Sequence, residues 1–228
     1  MTNSEQKKII DKIKIILNDQ DQNSHIHKLL EIEKDYPNDV AIKQAISQTY
    51  LKMDENTKAL EYINEADKLS PGNYAIKYNL GMMHKKFKKY DEAINFFKES
   101  VKLNSKFKEG FNILADIYYN KKDYQTSADY YLKSKHIDKT KNNLFALNRL
   151  AETLLRLYPI KQNKDLLIEA KKNYQIIDNL TPNNDIILQN IININNLLGL
   201  RMDSVLIDKS KNGIFVLDIS TNAIKVEY

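Results

Sequence analysis

The 228-residue chain contains no cysteine. Disulfide bonds, thiol catalysis and cysteine-ligated zinc or iron–sulfur sites are therefore excluded. The lack of cysteine does not show whether the compartment is oxidising or reducing, because a chain without thiols folds in both.

Glycine is also scarce, and the five glycines at positions 72, 81, 110, 199 and 213 are never two or five residues apart. Neither a dinucleotide-binding fingerprint nor a phosphate-binding P-loop fits that spacing. No serine lies in a Gly-x-Ser-x-Gly elbow. His25 and His27, at i and i+2 of a predicted helix, point in different directions and make a poor metal pair. We therefore predict no catalytic site, cofactor or metal in this chain.

Long apolar runs are missing too. No unbroken stretch approaches the roughly 20 apolar residues that a membrane-spanning helix requires. The amino terminus, Met-Thr-Asn-Ser-Glu-Gln-Lys-Lys, lacks the basic region and apolar block of a secretory signal. We expect a cytoplasmic protein without membrane insertion.

What the chain does contain is a repeat of 34 residues. When Tyr50, His84 and Tyr118 are placed in one register, small residues coincide at three further positions. These sets are Ser47, Gly81 and Ala115; Ala59, Ala93 and Ser127; and Ala66, Ser100 and Ser134. Small residues let two helix backbones approach closely where they cross. The period and the pattern predict helix-turn-helix units that bury their apolar faces by stacking.

The signature resembles the tetratricopeptide repeat. It is most complete in Leu80-Gly81-x2-His84 followed by Ala93-x3-Phe97, and the preceding repeat also carries Pro71, twelve residues after Ala59. The resemblance implies an all-α fold, a right-handed superhelical solenoid of such repeats. His84 stands where the family usually has an aromatic residue, so we expect a packed, hydrogen-bonded core histidine.

The register divides the chain into seven segments. These are a degenerate or capping repeat at 1–39, repeats at 40–73, 74–107, 108–141 and 142–183, a capping helix at 184–200 and a short β-like segment at 201–228. In the fourth repeat Pro159 predicts an enlarged turn, with residues 158–165 forming a surface loop. In the last segment, Val205–Ile207, Ile214–Ile219 and Ala223–Val226 alternate with turn compositions, which predicts a short antiparallel meander.

Basic residues give the chain a formal net charge of +5. The densest basic run, 85–89, falls at the predicted turn between the two helices of one repeat. A second basic set surrounds the next turn between repeats and comprises Lys133, Lys135, His136, Lys139 and Lys141. If both patches faced one way, they would steer an acidic partner. Nucleic-acid binding is disfavoured, because the expected groove also contains Glu109, Asp116 and Glu152, which repel phosphate.

The family resemblance implies that the first helix of each repeat lines an inner groove. The expected peptide-binding residues are Tyr78, Met82, Asn112, Tyr119, Phe145 and Asn148. Family members that clamp a chaperone's carboxyl terminus use a set of Lys, Asn and Arg residues, of which at most Asn79 or Arg149 is matched here. Chaperone-tail binding is therefore disfavoured. Packing between repeats is the alternative explanation for some of the aromatic residues.

The leading functional hypothesis is a scaffold or adaptor that binds a peptide segment or a partner helix in this groove. A second hypothesis, from another class, is a recognition module of a larger enzyme, of glycosyltransferase or sulfotransferase type, with its catalytic part outside this sequence. A nucleic-acid-binding helical repeat is a weaker alternative, because its architecture and period are similar.

Overall fold

The computed structural model describes residues 2–19, 22–137, 143–200, 214–218 and 223–227. Within these ranges the chain forms eleven helices and two strands. The helices are α1 Asn3–Leu17, α2 Gln22–Asp35, α3 Val40–Lys52, α4 Asn56–Leu69, α5 Tyr74–Lys86, α6 Tyr90–Leu103, α7 Lys108–Asn120, α8 Tyr124–Ile137, α9 Leu144–Lys161, α10 Lys164–Leu180 and α11 Asp185–Leu198. The strands are β1 Ile214–Asp218 and β2 Ala223–Glu227.

Consecutive helices pack as antiparallel pairs, in agreement with the predicted helix-turn-helix units. The closest pairs are α3 with α4, α5 with α6, α7 with α8, and α9 with α10. The chain divides into two compact units, Met1–Ser105 and Lys106–Tyr228. In the first unit, α2 also packs on α3, and α4 on α5. In the second, α8 packs on α9, and α10 on α11. The prediction of an all-helical chain of stacked helix pairs is confirmed.

The turn inside each of three pairs has the same geometry. Asp54, Lys88 and Lys122, spaced 34 residues apart, all adopt the left-handed conformation, with φ of 62°, 60° and 63°. The next residue in each turn donates its backbone N–H to the carbonyl of Tyr50, His84 or Tyr118, at 2.9–3.0 Å. This bond satisfies a carbonyl at the carboxyl end of the helix, which otherwise has no partner. The 34-residue register therefore reappears in the backbone.

The small residues lie where the helices of a pair cross. The Ser47 hydroxyl donates to the Ala59 carbonyl at 2.7 Å, and the Ser127 hydroxyl donates to the Ala115 carbonyl at 2.9 Å. In the second pair, a Cβ atom added to Gly81 would lie 2.7 Å from two ring carbons of Phe97. The space at the crossing is thus occupied by a serine hydroxyl in the α3/α4 and α7/α8 pairs, and by the Phe97 ring in the α5/α6 pair.

Lysines at equivalent positions link neighbouring pairs in the first unit. Lys43 Nζ lies 3.0 Å from Glu33 of α2 and also contacts Glu65 of α4. Lys77, 34 residues later, pairs with Asp67 at 2.9 Å and with Glu99 at 3.3 Å. Each lysine therefore bridges the helix before it and the helix after it.

The prediction of a surface loop at residues 158–165 is wrong. Helix α9 continues through Pro159 to Lys161, and α10 begins at Lys164, so only Gln162 and Asn163 form the turn. Proline usually breaks a helix because it lacks an N–H and clashes with the preceding turn. Here it lies in the last turn of a helix that buries leucines such as Leu150 and Leu154, and their burial holds the helix together.

Helix α11 follows the last pair and ends at Gly199, whose φ of 70° is left-handed. The strands β1 and β2 pair antiparallel, with Phe215 opposite Val226, and β1 lies beside α11. The segment Val205–Ile207 is outside the described residues, so the three-stranded meander stays a prediction.

Within the part of the chain that the structure describes, no helix combines the length and apolar character needed to cross a bilayer. The cytoplasmic location stays a prediction.

Candidate functional site

Two helices of the second unit present the side chains that the sequence singled out. Asn112, Asp116 and Tyr119 recur at helical spacing along α7, and Phe145, Asn148 and Glu152 recur along α9, so each set shares one face of its helix. We call these six residues the α7/α9 surface. An ion pair between the two helices, described next, brings the two sets together.

Arg149 of α9 is the bridge. Its Nε and Nη2 atoms donate to Asp116 Oδ1 of α7 at 3.2 and 2.9 Å, and Nη1 donates to Glu152 Oε2 at 2.9 Å. The Tyr131 hydroxyl of α8 also donates to Asp116 Oδ1 and accepts a hydrogen bond from Arg149 Nε at 3.2 Å. Three consecutive helices are thus joined at one carboxylate oxygen.

Burial and charge perturb the ionisable groups of this network. Tyr131 is fully buried, and burial together with its hydrogen bond to Asp116 raises the pKa of its hydroxyl. Burial alone would lower the pKa of the Arg149 guanidinium, but its electrostatic interactions and hydrogen bonds with Tyr131 and Asp116 outweigh that effect and raise it. Tyr131 therefore stays neutral and Arg149 stays charged at physiological pH.

Aromatic residues flank the network. The Arg149 guanidinium lies 4.5 Å from the centre of the Tyr119 ring, and the Tyr124 ring meets Tyr119 edge-on with its centre 5.4 Å away. Phe145 differs from both, because 52% of its surface is exposed. One aromatic side chain of the surface is therefore held in place while a second projects into solvent.

The two asparagines occupy equivalent helix positions but have different environments. Asn148 Nδ2 donates to Glu152 Oε1 at 3.0 Å. Asn112 is half-buried, and its Oδ1 accepts no hydrogen bond from any described residue. Asn148 is therefore fixed by its neighbour, whereas the Asn112 oxygen is buried without a donor among the described residues.

Tyr78 and Met82, the other two predicted site residues, lie on α5 in the first unit. Both are half-buried, and the Tyr78 ring packs on Phe97 of α6 with 5.5 Å between the ring centres. Packing inside one helix pair accounts for much of the Tyr78 surface. A peptide-binding role for these two residues stays a prediction for the first unit alone.

His84 packs as expected but is not hydrogen-bonded through its ring Nδ1. Its ring centre lies 5.0 Å from that of Phe96, while Nδ1 is buried without a hydrogen-bond partner among the residues described. Burial, and then the charge of Lys89, lower the pKa of the imidazole. The structure therefore corrects the expectation of a hydrogen-bonded histidine.

The basic run at 85–89 spans the end of α5 and the turn to α6, and Lys86 pairs with Asp54 at 2.7 Å. Lys133, Lys135 and His136 lie in the last turns of α8, whereas Lys139 and Lys141 fall outside the described residues. Over the described ranges, no three His, Asp or Glu side chains cluster closely enough to bind a metal ion.

Sequence reasoning missed the Asp116–Tyr131–Arg149 network, although it identified Asp116 as a groove acid and Arg149 as one possible clamp residue. The available signal was the spacing of two opposite charges. Equivalent positions of α7 and α9, such as Asn112 and Asn148, are 36 residues apart, and Asp116 and Arg149 are 33 apart. The difference of three residues is about one helical turn, which keeps the two charges on the same face of neighbouring first helices.

The architecture is that of an α-helical repeat protein. The model of the tetratricopeptide repeat family matches residues 40–73 and 74–107. Residues 40–107 therefore contain two tetratricopeptide repeats, as the sequence signature predicted. A search among proteins of curated function finds no match.

Solved structures of similar fold belong to the same class. PilF of Pseudomonas aeruginosa superimposes with a TM-score of 0.68 at 16% identity, covering 91% of this chain and 89% of its own. YrrB, described as a TPR protein with an unusual peptide-binding site, gives a TM-score of 0.63 at 15% identity, covering 85% and 93%. MamA from Desulfovibrio magneticus RS-1 gives 0.58 at 15% identity, covering 74% and 97%. At these identities the likeness concerns the fold alone.

Proposed function

We propose that the protein is an interaction scaffold and that its α7/α9 surface binds an extended peptide segment of a partner protein. The observation that carries the proposal is Phe145, which exposes 52% of its surface beside the Arg149 network. A large aromatic side chain held on a rigid helix is the kind of anchor that contributes most to interface energy.

The surroundings of Phe145 support a site that is prepared before the partner binds. Arg149 and Asp116 tie α9 to α7, so the positions of the two helices are fixed without a ligand. A rigid surface loses less entropy on binding than a mobile one. The fold itself adds support, since YrrB, which has a similar fold, is described as having a peptide-binding site.

The asparagines suit an extended peptide. An amide side chain offers both donors and an acceptor, and can therefore hold a peptide backbone without reading its sequence. Asn148 still has a second N–H beyond the one that it gives to Glu152, and Asn112 Oδ1, a buried atom, has no donor among the described residues. Tyr119 and Phe145, on the same two helices, would take up the peptide's side chains.

The test uses peptides selected from a random phage-displayed library on the whole protein. Phe145→Ala should weaken their dissociation constants by about 10-fold or more, as expected for an anchor residue. Ile160→Ala is the matched control, because Ile160 is an apolar residue of α9 that is 64% exposed and lies outside the surface. Equal affinity for wild type and Phe145→Ala would refute the proposed site.

The asparagines are tested by a double change, Asn112→Ala with Asn148→Ala. Its free energy of unfolding should stay within about 0.5 kcal/mol of wild type, as is usual for surface positions. Affinity for the selected peptides should fall, because each lost amide leaves a peptide group unpaired at about 1 to 3 kcal/mol. Unchanged affinity would remove the asparagines from the site and leave Phe145 as its only tested part.

A further inference from the structure

Asp116 has one carboxylate oxygen fully engaged and one free. Oδ1 accepts hydrogen bonds from Tyr131 and from two nitrogens of Arg149. Oδ2 accepts none from any residue in the described ranges, and the side chain is 27% exposed. Three bonds on one oxygen fix the orientation of the carboxylate, so Oδ2 is an acceptor of fixed direction, without a donor among the described residues, on a partly exposed side chain.

The neighbouring groups add acceptors and negative charge. The Oδ1 atom of Asn112, one helical turn before Asp116, is a second acceptor without a donor among the described residues, and it is buried. The strongest donor nearby, the Arg149 guanidinium, is directed at Asp116 and Glu152. Two carboxylates around one guanidinium leave one negative charge. Glu109, exposed on α7 one turn before Asn112, has the same sign.

We propose that the α7/α9 surface selects peptides that carry a basic side chain, lysine or arginine, at the position that meets Asp116. An ammonium or guanidinium group has donors and no acceptor, which complements the free Oδ2. The aliphatic part of the same side chain would lie along the protein surface beside Asp116. This inference rests on the proposed function and specifies its partner.

The same geometry disfavours an acidic ligand. A carboxylate approaching Arg149 would have to displace Asp116 or Glu152 from a guanidinium that already has both, and would be repelled by them. A surface that rejects carboxylates and accepts cations obtains its specificity from both effects.

The experiment extends the phage selection. Peptides that depend on Phe145 should carry lysine or arginine at one aligned position. Replacing that residue with glutamine in a synthetic peptide should weaken binding to the wild-type protein by about 10-fold, the range for a hydrogen bond to a charged group. Because this change is in the peptide, it cannot affect the fold of the protein.

The protein-side variant is Asp116→Asn, which keeps the shape and removes the charge. It should weaken binding of the basic peptide by about 10-fold more than it weakens binding of the glutamine version, because only the basic peptide loses its interaction with the charge. The matched control is Asp129→Asn, an exposed acid of α8 that only accepts a hydrogen bond from Gln125. It should change neither affinity. Raising the salt concentration should weaken the basic peptide more on wild type than on Asp116→Asn.

The outcomes separate the two proposals. Phe145-dependent peptides that lack a basic residue, or that carry an acidic one, would overturn the inference and leave the peptide-binding surface in place. The same holds if the glutamine peptide binds as tightly as the basic one. If no selected peptide depends on Phe145, the proposed function fails, and the inference fails with it.

Discussion

Replacing Gly81 with leucine tests the crossing of α5 and α6. A Cβ atom at position 81 would lie 2.7 Å from two ring carbons of Phe97, a distance that real contacts avoid. Phe97 is fully buried and its ring also packs on Tyr78, so it has no open space to move into. The substitution therefore forces the two helices apart.

The expected loss of stability combines two opposing effects. Leucine is a better helix former than glycine by nearly 1 kcal/mol, which favours the variant. Forcing extra methylene groups into a closed contact costs about 1 to 3 kcal/mol and occasionally more. Leucine adds four heavy atoms where the first already clashes, so the upper part of that range applies. We expect a net loss of about 2 kcal/mol, or a melting temperature lower by roughly 4 to 8 °C.

Thermal unfolding followed by circular dichroism measures the effect, and Gly72→Leu is the matched control. Gly72 lies in an exposed turn where an added Cβ would meet nothing within 4 Å. Its replacement should leave the midpoint nearly unchanged. Combining Gly81→Leu with Phe97→Ala should destabilise less than the sum of the two single changes, because the smaller residue makes room. An unchanged midpoint for Gly81→Leu would refute the predicted register and the packing together.

Three further predictions concern other parts of the chain. Lys43→Ala should lower the free energy of unfolding by about 3 kcal/mol, because it leaves the largely buried Glu33 without its cation; chemical denaturation measures this, and a loss below about 1 kcal/mol, as for a surface pair, would contradict it. His84→Phe should reduce the loss of stability on acidification. The pKa of His84 is lowered in the folded state, so the wild-type protein loses stability as the pH falls through about 6.5. Parallel profiles of unfolding free energy against pH for the two proteins would disprove this. Deleting residues 203–228 should promote association in sedimentation experiments by uncovering apolar side chains of α11, beside which β1 lies; a monomeric, equally stable product would identify a dispensable tail.

The parts of the fold that the sequence predicts are those governed by local requirements. A small residue at a helix crossing and a fixed turn length are needed in every repeat, so Ser47, Gly81 and Ala115 reveal the register. Pro159 led to the wrong prediction of a loop at residues 158–165. Proline disfavours a helix in general, whereas the burial of particular leucines favours the helix here. Only the packed structure shows that burial decides the outcome.

The candidate site was less predictable for a related reason. Its residues were found from the expected inner face of the first helices, and the side chains of Phe145 and Asn148 do lie on one face of α9. The role of Arg149 depends on the meeting of its guanidinium with the Asp116 carboxylate of α7 and with the Tyr131 hydroxyl of α8. Such a contact is a property of the assembled pairs and has no signature within a single repeat.

The most direct test of the peptide-binding surface is a two-dimensional amide NMR titration with a selected peptide. We predict the largest shift changes between Asn112 and Tyr119 and between Phe145 and Glu152, with the second helices α8 and α10 little affected. Changes concentrated on α8, α10 or the turns, with α7 and α9 unaltered, would contradict it.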